Sequence, residues 1–182
     1  DGYTLKYFLH NAENKNTISS DRVRSIMQDN NGLIWIGTED RGLNSYDPKS
    51  GIFKRILTDD EGLIDLTKGS IKNIYQDSLG TLWLSSKSNG LIQFDVKKNS
   101  MIQHLPNNNA LNAISNKDVW KVLEDKSSHN IGNMWVATND GLNYFSRDTQ
   151  NFKSFKFNKN DQSSISSNII YDIQHDLNGN LW

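Results

Sequence analysis

Cysteine is absent from the 182 residues. That removes disulfides, thiolate nucleophiles and cysteine-ligated metals, and it leaves the redox compartment open. Proline occurs twice, at Pro48 and Pro106. No apolar run reaches 18 residues, so no hydrophobic helix of this segment is long enough to span a bilayer. Lys and Arg form no block and the formal net charge is −1, which argues against a polyanion or nucleic-acid surface. No secretory leader pattern is present, as expected of an internal fragment. The four histidines, His10, His104, His129 and His175, stand apart, never at zinc-ligand spacing, and are expected at surface or turn positions. Asp59-Asp60-Glu61 is the one acidic cluster and reads as a solvated loop. No Ser/His/Asp motif stands out, so neither catalytic residues nor a cofactor or metal is assigned.

What is present is repetition. Trp35, Trp83, Trp135 and Trp182 are separated by 48, 52 and 47 residues. A period in that range marks one supersecondary unit copied along the chain. The tryptophan closes an Asp-x-x-Gly-x-x-Trp motif: Asp29, Gly32, Trp35, then Asp77, Gly80, Trp83, then Asp176, Gly179, Trp182. The third copy, Asp125, Gly132 and Trp135, stretches six residues to ten through the insertion around 126–131. Before the motif run Val23 to Gln28, Ile71 to Gln76 and Val119 to Glu124, with Ile-Ser upstream at residues 18, 114 and 165. After it come Gly42-Leu43 with Tyr46, Gly90-Leu91 with Phe94, and Gly141-Leu142 with Phe145, then Phe53, Met101 and Phe152.

Each full unit therefore holds four short runs rich in Val, Ile and aromatics, bounded by turn residues, which predicts four strands and little helix. The Asp is expected to accept from turn amides while the Gly takes a positive φ in the hairpin between the first two strands. The tryptophans are expected between packed sheets. Tandem four-stranded units of this length predict an all-β partial β-propeller of about three and a half blades. The blades fall at 18–66, 67–113 and 114–164, with 165–182 beginning another. Residues 1–17 match the stretch before 165, so Tyr3 to Leu9 reads as the outer strand of a preceding blade, followed by a linker. A ring needs at least four blades, so the expected partners are the remaining blades of a longer chain, the favoured reading, or a second copy of this one.

These motifs, Ile-Ser-x-x-x-Val, Asp-x-x-Gly-x-x-Trp-x-Gly-Thr and Gly-Leu-x-x-Tyr/Phe, resemble the two-component regulator propeller repeat over nearly the whole chain. The resemblance implies a seven-bladed ring, of which this is about half, within the periplasmic sensor region of a hybrid histidine kinase anchored in the inner membrane. It also implies oligosaccharide ligands. The kinase and phosphorelay domains are not in this segment.

Residues that repeat build the scaffold, so function is sought where the copies differ. One position after the recurrent Val/Ile of the first strand stand Arg24, Lys72, Trp120 and Tyr171. Two cations and two aromatics at one quasi-equivalent level suit a sugar, since aromatic faces stack on pyranose C–H groups while Arg and Lys donate to hydroxyl, uronate or sulfate oxygens. The leading reading is a non-catalytic sensor segment. The alternatives are a propeller glycan hydrolase or lyase, and a protein-interaction or dimerisation scaffold.

Overall fold

The computed structural model describes residues 5–182 except 60, 111 and 128–130. Among the described residues, twelve strands form three antiparallel sheets of four, each in simple sequential order. The first sheet holds β1 (Val23–Gln28), β2 (Ile34–Thr38), β3 (Leu43–Asp47) and β4 (Ile52–Ile56). The second holds β5 (Ile71–Gln76), β6 (Leu82–Ser86), β7 (Leu91–Asp95) and β8 (Ser100–His104). The third holds β9 (Val119–Glu124), β10 (Met134–Thr138), β11 (Gly141–Ser146) and β12 (Asn151–Phe155). A single 3-10 turn, Leu66–Lys68, is the helical content among the described residues. The molecule is a partial β-propeller, and the sheets are its blades.

The Asp-x-x-Gly-x-x-Trp motif is a closed hydrogen-bonded unit. Asp29 Oδ1 accepts from the amides of Asn31 and Leu33, both at 2.9 Å, while its Oδ2 accepts from Trp35 Nε1 at 2.9 Å. Asp77 repeats this with Leu79, Thr81 and Trp83, and Asp176 with Asn178, Asn180 and Trp182. The six-residue spacing is thus fixed by one carboxylate that serves the turn and the indole together. The Trp182 indole, with the Asn180 amide, holds the Asp176 carboxyl down at about 2. Gly32 and Gly80 have φ of +85° and +86°, the left-handed conformation in which a side chain is strained.

The stretched third copy breaks this unit. Trp135 occupies the same register, opposite Leu123 and Tyr144, yet Asp125 Oδ2 accepts instead from Tyr144 Oη at 2.8 Å. Tyr144 stands where the other blades have Ser45 and Gln93, so a phenol replaces the indole as donor. The middle of the long hairpin, with His129, lies outside the described residues.

Apolar clusters sit in the seams between blades. Trp35, Leu43, Leu66, Ile71, Ile74 and Phe94 fill the first; Trp83, Ile114, Val122, Phe145 and Phe152 fill the second. Each buried indole meets the next blade edge to face, Trp35 on Phe94 at 5.9 Å and Trp83 on Phe145 at 5.2 Å. Polar links reinforce the seams: Asn30 N donates to Gln76 Oε1 at 2.9 Å, and at the equivalent place Ser78 N donates to Glu124 Oε2 at 2.8 Å. The Ile-Ser motif has its own partner. Ser19 exchanges two 2.8 Å hydrogen bonds with the buried Asn44 amide, and Ser115 exchanges the equivalent pair with Asn143 at 3.0 and 2.8 Å. The second blade replaces both members, with Thr67 and Ile92 in these places.

Two expectations are corrected. His104 is not a surface or turn residue. It occupies the seam position held by Ile56 and Phe155 in the other blades, lies parallel to Trp83 at 6.1 Å and touches Phe145 and Phe152. Burial pushes its pKa down to about 4. Asp59 is not solvated either; it is buried and accepts from the amides of Leu63 and Ile64, and its neighbour Asp60 lies outside the described residues.

The ends of the chain share a loop geometry. Asn11 N donates to Thr17 Oγ1 as Asn158 N does to Ser164 Oγ, both at 3.0 Å. Tyr3 and Thr4 of the N-terminal segment lie outside the described residues, and residues 5–9 make no strand pairing. Phe8 nevertheless packs on Tyr46 and Phe53 at 5.0 and 5.3 Å, as His104 packs on Phe145 and Phe152. From 174 to 182 the chain turns back on itself through paired hydrogen bonds between Gln174 and Trp182, with Ile173 buried against Leu123 and Ala137.

Candidate functional site

The first strand of every blade is irregular at the same point. In β1 the partners of Val23 and Ser25 are Thr38 and Gly37, so Arg24 is an extra residue in the ladder. Lys72 is the extra residue of β5 and Trp120 that of β9. A bulge turns a side chain away from the alternation of its strand. Three of the four variable positions are therefore bulged, and the fourth, Tyr171, follows Ile170 as Arg24 follows Val23. The structure gathers Arg24, Lys72, Trp120 and Tyr171 around one cleft of about 500 Å³, shared with Glu39, Ser70, Asn73, Lys87, Asp118, Lys121 and Asp172.

Two further rows of variable residues supply Glu39, Lys87, Ser70 and Asp118 to its wall. They are held together by a backbone bond common to all three blades: Glu39 N to Arg22 O at 2.9 Å, Lys87 N to Ser70 O at 3.1 Å and Asn139 N to Asp118 O at 3.2 Å. Sequence comparison of the bulge position alone missed these rows. The signal was available in the residue after Gly-Thr, Ser-Ser and Ala-Thr, which changes from Glu39 to Lys87 to Asn139.

The side chains form a connected network. Lys72 Nζ lies 2.5 Å from Asp118 Oδ1 and 3.2 Å from the centre of the Trp120 ring, a cation–π contact on a half-buried indole. Trp120 Nε1 donates to Asn139 Oδ1 at 2.7 Å, and Asn139 Nδ2 donates to Asp118 Oδ2 at 2.7 Å. Tyr171 meets Trp120 edge to face at 4.8 Å. Arg24 pairs with Glu39, which also accepts from Ser70 Oγ at 3.2 Å. The Arg24 hydrogen bond holds the Glu39 carboxyl below the usual carboxylate range. Lys121 pairs with Asp172. Such an arrangement offers hydrogen-bond donors, acceptors and an exposed aromatic face side by side. No group of three or more metal-ligating side chains is found among the described residues.

Residues 17–40 match the model of the two component regulator propeller family. That stretch is similar to a two component regulator propeller repeat. Solved structures share the fold over about nine-tenths of this chain. The extracellular domain of the proposed one component system BT4673 of B. thetaiotaomicron superposes with a TM-score of 0.74 at 21% identity, over 92% of this chain and 21% of that one. The extracellular domain of the proposed hybrid two component system BT3049 from the same organism gives 0.74 at 22%, over 90% and 22%. Virginiamycin B lyase from Staphylococcus aureus gives 0.60 at 16%, over 92% and 50%. At these identities the likeness is one of fold. The chain spans about a fifth of the length of the first two structures and half of the third. No curated protein matches it by sequence. Among the described residues no helix is long and apolar enough to cross a membrane.

Proposed function

We propose that this propeller segment is a non-catalytic part of the extracytoplasmic sensor of a two-component signalling protein, and that the cleft at its bulged strands contacts an oligosaccharide. The observation that carries the reading is the convergence of Arg24, Lys72, Trp120 and Tyr171 on one cleft, supported by the match of residues 17–40 to the two component regulator propeller model. Further blades complete the ring, seven in all, in the parent polypeptide or by pairing with a second copy. Ligand binding biases the sensor between two signalling states, and a histidine kinase and phosphorelay beyond this segment read the bias. The parent sits in the inner membrane with the propeller in the periplasm.

The test is calorimetry on the full natural protein with a glycan panel, comparing wild type with Arg24→Ala and Trp120→Ala. Loss of at least tenfold in affinity with unchanged folding supports the reading; unchanged affinity removes Arg24 and Trp120 from it. The lyase fold likeness makes an enzyme the second reading, and turnover of any member of the panel replaces the sensor proposal with it.

A further inference from the structure

The cleft is rich in cations, yet its charges are largely answered from within. Of the lining residues, Arg24, Lys72, Lys87 and Lys121 are cationic and Glu39, Asp118 and Asp172 are anionic. Three of the cations are paired: Arg24 with Glu39, Lys72 with Asp118 and Lys121 with Asp172. The wall thus alternates in sign and carries a net charge near +1. A polyanion entering it meets a carboxylate beside each of the paired cations, and like-charge juxtaposition is a strong means of rejecting a partner. Sugar hydroxyls both donate and accept. An ammonium or guanidinium adjacent to a carboxylate satisfies both halves of that need, whereas a sulfate only accepts.

The aromatic pair is also asymmetric. One face of Trp120 is covered by the Lys72 ammonium at 3.2 Å, and that ammonium is fixed by Asp118 at 2.5 Å. Tyr171 is 63% exposed and stands at right angles to Trp120 on the cleft wall. Within this segment the open stacking platform is therefore the tyrosine, with the indole held as its support.

We propose that the cleft selects an uncharged oligosaccharide over uronate-rich or sulfated glycans, with Tyr171 as the stacking residue and Glu39, Asp118 and Asp172 as the groups that reject polyanions. The inference rests on the carbohydrate reading of the cleft given above. It accounts for each pairing in the wall, which a site built for sulfate or uronate would leave unexplained.

The experiment measures binding of neutral hexose and pentose hexasaccharides, oligogalacturonates and sulfated oligosaccharides to the full natural protein at 50 and 300 mM NaCl. Neutral chains are expected to bind at least tenfold more tightly than either anionic class, with affinity changing less than twofold between the two salts. Tyr171→Ala is expected to lose at least tenfold for neutral chains. Asp118→Asn combined with Asp172→Asn is expected to raise affinity for sulfated chains at least fivefold. Tighter binding of sulfated or uronate chains by wild type, falling steeply with salt, overturns the inference and leaves the carbohydrate reading standing. Binding of none of the probes overturns both. Unchanged neutral affinity in Tyr171→Ala transfers the stacking role away from Tyr171 and overturns that part.

Discussion

His104 shows how one side chain departs from the rule of its position. The outermost-strand site it fills belongs to apolar residues in the other blades, Ile56 and Phe155, because it faces the next blade's aromatics. Its Nε2 is buried without a hydrogen-bond partner, and the imidazole is held neutral by desolvation, with a pKa near 4 against an ordinary 6.5. Between those values the unfolded chain binds more protons than the folded one, so stability rises with pH across this window. The contribution is complete above about 6.5 and disappears as pH falls toward about 4, amounting to up to about 3 kcal/mol. His104→Phe, which reproduces the residue at 155, is expected to flatten the stability–pH curve over that interval. Urea unfolding at pH 7.0, 5.5 and 4.5 checks it. Parallel curves for the two proteins contradict the assignment, because the depressed carboxylates, Glu39 among them, titrate lower and remain in both.

At the scale of elements, the Asp-to-Trp hairpin does the same task in the first two blades with different support. Asp29 holds its turn and its indole and no described cation pairs with it. Asp77 is fully buried and also pairs with Arg147, which reaches across the seam from the end of β11, bonds the Gly132 carbonyl at 3.1 Å and lies over the Trp83 ring. Removing one member of a buried ion pair leaves an uncompensated charge and costs about 3–5 kcal/mol, whereas losing hydrogen bonds to a turn and indole costs about 1–3 kcal/mol. Asp77→Ala is therefore expected to destabilise by about 2 kcal/mol more than Asp29→Ala, measured by denaturant midpoints at pH 7. Arg147→Ala in the Asp77→Ala background is expected to cost little further, the signature of coupling.

For the molecule as a whole, equivalent residues meet unequal surroundings. Ile74 and Val122 are 5% and 0% exposed in their seams, while Ile26, the same residue of the first blade, is 68% exposed. On the reading that another blade packs against β1, Ile26→Asp in the full natural protein is expected to lower stability by at least about 2 kcal/mol. A true surface site tolerates such a change within about 0.5 kcal/mol. Hydrogen exchange is expected to protect β1 amides as strongly as those of β5 and β9, and fast exchange confined to β1 counts against a flanking blade.

The architecture was legible from the period of the tryptophans, the glycines and the alternating apolar runs, because strand pairing in a repeated hairpin unit is a local matter. The hydrogen bond that sets the Asp–Trp spacing was visible only as a number, six, whose cause lies in the folded hairpin. The seam role of His104 was hidden because burial depends on the neighbouring blade rather than on adjacent sequence. At the cleft, reading where the copies differ picked out Arg24, Lys72, Trp120 and Tyr171, while Glu39, Asp118, Asn139 and Asp172 escaped notice. The sequence by itself determined the all-β repeat and the positions free to vary, since turn chemistry and period are written along the chain. Only the tertiary structure decided that three of the four varying positions are bulged, that all four face one cleft and that neighbouring carboxylates answer the two cations among them, because those relations join residues of separate strands and blades.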